Sequence, residues 1–263
     1  MIMKIGVSTA SFFPREECEN AIEIIKDIGS DCAEVFLGSF YEYRPEFAKA
    51  NEKRFGGIEI SSVHAFSSNF EPQLFSSSRR VRGDGYYWLD QFLRSALALG
   101  AKKYSFHGYI SRASDSRNIG YVSEYMRDIC EFAARYGVDV CLENVSWCTY
   151  NRPGIFSEFK ARCPNLSAVL DIKQARRSGY PVNMYIEDMS GSISHVHLSD
   201  VDKNGKMCLP GKGIYNFEEI FKRLKGAGFD GPAVIEVYGG DYTDYSEIKQ
   251  SLEYLKEIAY KIN

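Results

Sequence analysis

Seven residues able to bind a metal ion or move a proton stand at or near the ends of short apolar runs. His64 closes Ser61-Ser62-Val63-His64, and His107 closes Tyr104-Ser105-Phe106-His107. Glu143, Asp171 and Glu236 close Val140-Cys141-Leu142-Glu143, Ala168-Val169-Leu170-Asp171 and Ala233-Val234-Ile235-Glu236. His195 and His197 lie two apart in a further run, so in an extended strand both point to one face. Taken singly, such a histidine is usually structural, and such a carboxylate usually caps the next helix. Taken together they argue for one site, because charged groups beside apolar strand residues are costly to bury unpaired. Three carboxylates and several imidazoles in one place repel one another unless a cation joins them. Mixed oxygen and nitrogen donors suit one divalent ion, Mn, Zn, Co, Fe or Mg, without choosing among them.

The elements that must bring these residues together are readable from the alternation of short β-rich runs with longer helical spacing. Strands are expected at Lys4–Thr9, Ala33–Leu37, Ile58–His64, Lys102–His107, Val138–Glu143, Leu166–Asp171, Ile193–Leu198 and Ala233–Val237. Helices are expected at Glu17–Ile28, Pro45–Phe55, Gly85–Leu99, Val122–Tyr136, Gly154–Arg162, Tyr180–Met189, Phe217–Gly226 and Tyr245–Ile262. Gly29, Gly100, Gly137 and Gly228 stand where helix C-caps belong. Alternating strands and helices imply parallel pairing with right-handed crossovers. Eight units in 263 residues fit an α/β fold of the (β/α)8 TIM barrel type, one domain over residues 1–263. The first strand runs into Ser8-Thr9-Ala10-Ser11-Phe12, with no glycine-rich phosphate loop of the kind an open doubly wound sheet would carry. In such a barrel the strand ends converge on the C-terminal mouth, which is where the seven residues would meet.

Composition narrows the function classes. A net charge of −3 argues against a nucleic-acid partner, and the one basic cluster, Arg79, Arg80 and Arg82, reads as a solvated loop. No apolar run approaches the ~20 residues of a membrane span, so no membrane role is expected. Seven cysteines without a C-x-x-C pair, and no visible secretory signal, point to reduced thiols in the cytoplasm.

The phrases that carry these residues resemble a known family. Ser-Val-His-Ala-Phe (62–66), Phe-His-Gly (106–108), Leu-Glu-Asn (142–144), His-Val-His-Leu-Ser-Asp (195–200), Pro-Gly-Lys-Gly (210–213) and Ile-Glu-Val-Tyr (235–238) are similar to the xylose isomerase-like barrel superfamily. That group includes sugar isomerases and epimerases, inosose dehydratase and the endonuclease IV type of DNA-repair enzyme. Carried over by position, the epimerases' four metal ligands fall on Glu143, Asp171, His197 and Glu236. The resemblance implies that Glu143 and Glu236 also form the acid/base pair. His64 and His107 match histidines that line the substrate pocket in single-metal relatives and bind further zinc in the endonucleases. Two departures favour one metal over three. Gln174 stands where the endonucleases place a histidine, and Gly205-Lys206-Met207 lacks the ligands they carry there. Many sugar epimerases also have a histidine at the Gln174 position, so the exact reaction is not fixed.

The chemistry expected is proton transfer beside the carbonyl of a sugar, sugar phosphate or polyol. A Lewis-acidic metal would stabilise the enediolate while one glutamate removes the proton and the other returns one. Glu34 either faces the pocket and touches substrate or makes a salt bridge inside the barrel. His195, deeper in its strand, reads as a residue hydrogen-bonded within the barrel. Lys203 follows the strand-seven motif, where relatives often place a substrate-binding residue. Trp147, Phe12, Phe13 and Phe66 are candidate apolar walls, and Lys212 lies in a turn able to reach a phosphate. Lys173 reads first as a surface lysine, with a positive charge at the pocket edge as the other reading. A dehydratase of a cyclic polyol and a barrel that binds sugar or metal without turnover are the competing readings. Relatives often pair through the barrel exterior, so a homo-oligomer is compatible with the resemblance.

Overall fold

A computed structural model describes residues 3–111 and 119–262. Eight parallel strands close into a barrel: β1 (Ile5–Ser8), β2 (Cys32–Leu37), β3 (Glu59–Ala65), β4 (Lys103–Phe106), β5 (Asp139–Glu143), β6 (Ser167–Asp171), β7 (Ile193–Leu198) and β8 (Ala233–Ile235). Each pairs with its neighbour in chain order, and β8 returns to β1. Strand burial is nearly continuous, as parallel strands covered on both faces require.

The expected helices form with revised boundaries that have local causes. The stretch from Pro45 divides into Pro45–Ala50 and Glu52–Phe55, because Asn51 leaves helical geometry and its Nδ2 donates to the Phe47 carbonyl. The helix expected from Gly85 begins at Arg79 and ends at Ala98. A Cβ at Gly85 would come within 3.0 Å of Gln73 Cβ and Leu74 N, so this glycine marks close approach to the short helix Glu71–Leu74 rather than a helix start. The short helix Ile172–Arg177 had no periodic signal. It forms because Asp171 caps it, with Oδ1 accepting from Gln174 N at 2.7 Å. The four C-cap glycines have φ between 67° and 83°.

Register lines up the residues that matter. Ser8 on β1 pairs with Glu34 on β2, and Glu34 pairs with Ser62 on β3. Asp171 on β6 pairs with His197 on β7. A bulge between Ala33 and Glu34 in the β2–β3 ladder gives β3 one extra residue, and this sets Glu34 opposite Ser62 rather than Ser61. Asn144, directly after β5, ties the ends of β5 and β6 together. Its Oδ1 accepts from Asp171 N at 2.7 Å and its Nδ2 donates to Asp171 O at 2.9 Å.

All seven cysteines are free thiols, and six are buried. No helix among the described residues is long and apolar enough to cross a membrane.

Beyond β7, Asp200 organises a two-stranded ribbon, Asp200–Val201 with Met207–Cys208, and the Pro-Gly-Lys-Gly turn after it. Its carboxylate accepts from the amides of Val201, Gly211, Gly213 and Tyr215 at 2.8 to 3.1 Å. Removing this fully buried acceptor strands four amides. Asp200→Ala is expected to cost about 2–4 kcal/mol of stability. Chemical denaturation reads it, and a loss below about 0.5 kcal/mol contradicts this role for Asp200.

Candidate active site at the barrel mouth

The site stands on a buried carboxylate. Glu34 is fully inaccessible, and its two oxygens collect five partners from four other strands. Ser8 Oγ donates at 2.9 Å, and Ser62 Oγ and Ser105 Oγ donate at 2.7 Å each. His195 Nε2 and His197 Nε2 both lie 3.1 Å from Oε2. Burial alone would raise this carboxyl's pKa, but the two imidazoles and their hydrogen bonds hold it well below the usual carboxylate range. Glu34 is therefore an anion, and His197 presents Nε2–H to it.

With Nε2 committed, His197 turns Nδ1 upward. That nitrogen lies 3.4 Å from Glu236 Oε2, 3.6 Å from Glu143 Oε1 and 3.7 Å from Asp171 Oδ2. One donor atom from each of these four residues lies within 4.8 Å of every other. In these residues Asp171 Oδ2, His197 Nδ1 and Glu143 Oε2, the last turned towards His64 and His107, are buried without a hydrogen-bond partner. Unpartnered buried acceptors are costly, and three carboxylates gathered around one imidazole call for a shared positive charge. Burial disfavours a proton on His197, yet Glu236, Glu34, Asp171 and Glu143 raise its pKa well above normal. A proton on Nδ1, or a cation there in its place, meets the same need. Three carboxylates and one imidazole at this spacing fit a divalent cation.

Lys173 supplies a second positive charge. Its Nζ lies 2.9 Å from Glu236 Oε2 and 3.7 Å from Asp171 Oδ2, and the side chain is only 4% exposed. Burial raises Glu143 to about 7 despite His197. Asp171 and Glu236 are also buried, but Lys173 and His197 pull both below their usual values.

Two further histidines form the inner wall. His64 Nδ1 lies 2.7 Å from the Ser105 carbonyl, leaving Nε2 facing Glu143 at 3.7 Å and Glu236 at 3.9 Å. The His107 ring stacks on it at 4.4 Å, with Nδ1 3.0 Å from Glu71 Oε2 and Nε2 3.9 Å from Glu143 Oε2. Burial lowers the pKa of both imidazoles. Glu71 in turn accepts from the Tyr104 hydroxyl at 2.6 Å.

Above the ligand set opens a cavity of about 640 Å³. Of the expected site residues, His64, His107, Glu143, Glu236 and Trp147 line it, while Asp171 and His197 sit just beneath. Several expectations are revised, and Glu34 takes the second of its two readings, an ion pair inside the barrel. Glu34 does not touch the cavity: the serine and histidine donors hold it under the floor. Lys203 lies in the exposed ribbon turn and is not among the described lining residues. The surface reading of Lys173 is overturned, since it is buried against two carboxylates and lines the cavity. Phe12 is buried core rather than wall, and Phe36 takes the expected place beside Phe13 and Phe66. Lys212 is exposed on a turn whose flanking glycine amides are spent on Asp200. Gln174 lines the cavity with its Oε1 accepting from Ser146 N and Oγ. Glu71 was missed altogether. Its position at the start of a short helix resembles any first-turn acid, and only the fold brings it to His107.

Comparison with known proteins places the chain. A family model described as xylose isomerase-like TIM barrel matches residues 22–258. An uncharacterised protein of Methanocaldococcus jannaschii is 27% identical, covering 99% of this chain and 92% of its own length. A fructoselysine 3-epimerase of Shigella flexneri is 22% identical, covering 89% of this chain and 90% of its own. A solved D-tagatose 3-epimerase-like protein superposes with a TM-score of 0.76 at 24% identity, covering 99% of this chain and all of its own.

Glu71 offers a test of the wall. Burial lifts its pKa from 4.5 to about 8, so the folded state binds its proton more tightly than the unfolded chain does. Stability from this group is present below about pH 4.5 and is lost as pH rises through about 8, with a slope of at most ~1.4 kcal/mol per unit. Glu71→Gln cannot ionise, so the stability of the native protein relative to the variant should fall across that window. Urea unfolding at a series of pH values measures the difference, and a flat difference contradicts the buried, proton-retaining Glu71.

Proposed function

The chain belongs to the xylose isomerase-like TIM barrel family, and we propose that it is a divalent-metal-dependent isomerase or epimerase of a ketose, a sugar phosphate or a related sugar. The observation that carries this reading is the convergence of four ligand-type side chains, three with a buried atom lacking a hydrogen-bond partner, at the floor of a cavity that Glu143 and Glu236 line. Glu143, Asp171, His197 and Glu236 are the residues that would hold the ion. Bound there, a divalent ion supplies Lewis acidity to a carbonyl and its neighbouring hydroxyl.

The protein's own residues do the rest. Glu143 and Glu236 each reach the cavity, and each is the counterpart of the other in moving a carbon-bound proton. Burial lifts Glu143 to about 7 without a cation, and beside a bound cation it would be drawn back down and kept as the carboxylate that takes the proton. Lys173 holds Glu236 in its anionic form and fixes the orientation of its carboxylate through the 2.9 Å contact. His64, with Nδ1 on the Ser105 carbonyl, presents Nε2 to substrate oxygens, and His107 is held parallel to it by stacking. Return of the proton to the opposite face of the same carbon gives epimerisation, and return to the neighbouring carbon gives isomerisation. The fructoselysine 3-epimerase relative supports the first.

Exchange of solvent deuterium into substrate tests this directly. In D₂O with Mn²⁺, a panel of ketoses and ketose phosphates should include one that takes up deuterium at the carbon beside its carbonyl. Glu143→Gln and Glu236→Gln should each slow that exchange by about 10²–10⁴-fold. Full exchange in the Glu236→Gln variant contradicts the two-glutamate mechanism. Net loss of water from the substrate would instead make the protein a lyase.

A further inference from the structure

Beyond the floor formed by Glu143 and Glu236, the cavity has an aromatic side. Phe13, Phe36 and Phe66 form a cluster along one side, with ring centroids 5.4 to 6.1 Å apart. Phe36 continues the wall inward to His64 at 5.8 Å, so the aromatic surface runs unbroken from the rim to the candidate catalytic groups. Phe13 and Phe66 remain 44% and 38% exposed, and Trp147, beside the His107 ring, is 37% exposed. Clustered exposed rings lining a pocket mark a surface that a ligand covers.

Size and charge define that ligand. A ketohexose has about a dozen heavy atoms. Even at the ~30 Å³ that a water takes in the liquid, it fills little more than half of the 640 Å³ cavity. The remaining space is bounded by the phenylalanine cluster. Two cations, Lys173 and Arg15, line the cavity among the described residues. Lys173 is shared by Glu236 and Asp171, while Arg15 is anchored by one N–H on the Tyr242 carbonyl at 3.0 Å with its guanidinium over the Tyr242 ring, and neither cation belongs to the phenylalanine cluster. A phosphate at the outer end would meet apolar rings where it needs charge-assisted donors.

We propose that the physiological substrate is an unphosphorylated sugar conjugate, whose sugar sits over Glu143 and Glu236 and whose apolar or aromatic substituent lies on the Phe13–Phe36–Phe66 wall. This rests on the sugar-isomerase reading of the site and adds the class of substrate. Apolar contact with the wall confers the selectivity, because rings of this kind stack on a planar or aliphatic group and offer nothing to a phosphate.

Calorimetric binding to the intact chain supplied with Mn²⁺ tests it. The probes are D-fructose, D-psicose, D-tagatose and D-sorbose, their 1-O-benzyl and 6-O-benzyl ethers, and their 6-phosphates. At least one benzyl ether should bind about tenfold or more tightly than its parent ketose and than the matching phosphate. In the Phe13→Ala/Phe66→Ala variant that ratio should collapse towards one. Both rings are exposed, and the ratio in the native protein stands on its own should the variant fold poorly. Parent ketoses or phosphates binding as tightly as every benzyl ether overturn the proposal and leave the isomerase reading intact. Binding of no ketose of any kind overturns both.

Discussion

The arrangement depends on one buried anion. Glu34 sits in the barrel interior, where a lone carboxylate would be prohibitively costly, and it is tolerated because β1, β3, β4 and β7 each send at least one donor to it. The consequence is directional. His197 gives Nε2–H to Glu34, so its Nδ1, bearing a proton or free to bind a cation in its place, faces Glu143, Asp171 and Glu236. A carboxylate beneath a histidine fixes tautomer and ring plane together, and the upper layer inherits that order.

Above this floor the electrostatics divide the carboxylates by role. Lys173 and His197 hold Asp171 and Glu236 below their usual values, while at Glu143, outside the reach of the lysine, burial dominates and pushes the carboxyl up in the absence of a cation. Two chemically identical side chains on β5 and just beyond β8 thus differ because of one lysine on the intervening helix. Neighbouring loops complete the division: Asn144 locks β5 to β6, and Asp200 pins the chain beyond β7.

The barrel is legible in the sequence because its signals are local. A charged residue directly after an apolar run marks a strand end wherever it occurs, and the glycines after the helices mark their C-caps. This is why Glu143, Asp171, His197 and Glu236 stand out together in the amino-acid sequence. What is not legible there depends on pairing between distant segments. Glu34 faces three serines only through the β1–β2–β3–β4 register and a bulge that shifts it. Lys173 is two residues past a strand, a position ordinarily exposed, and is buried only because the capped turn at Asp171 aims it at β8. Glu71 reaches His107 across 36 residues of chain, which no periodicity encodes.

On this reading the Glu34-oriented His197 completes a single cation site with three carboxylates. Titration of Mn²⁺ into the metal-stripped chain, followed by electron paramagnetic resonance, addresses it most directly. One tightly bound ion per chain is the predicted result, with binding lost in His197→Ala and weakened about 10–100-fold in Glu34→Gln. No stoichiometric binding, or binding indifferent to the loss of His197, would contradict it.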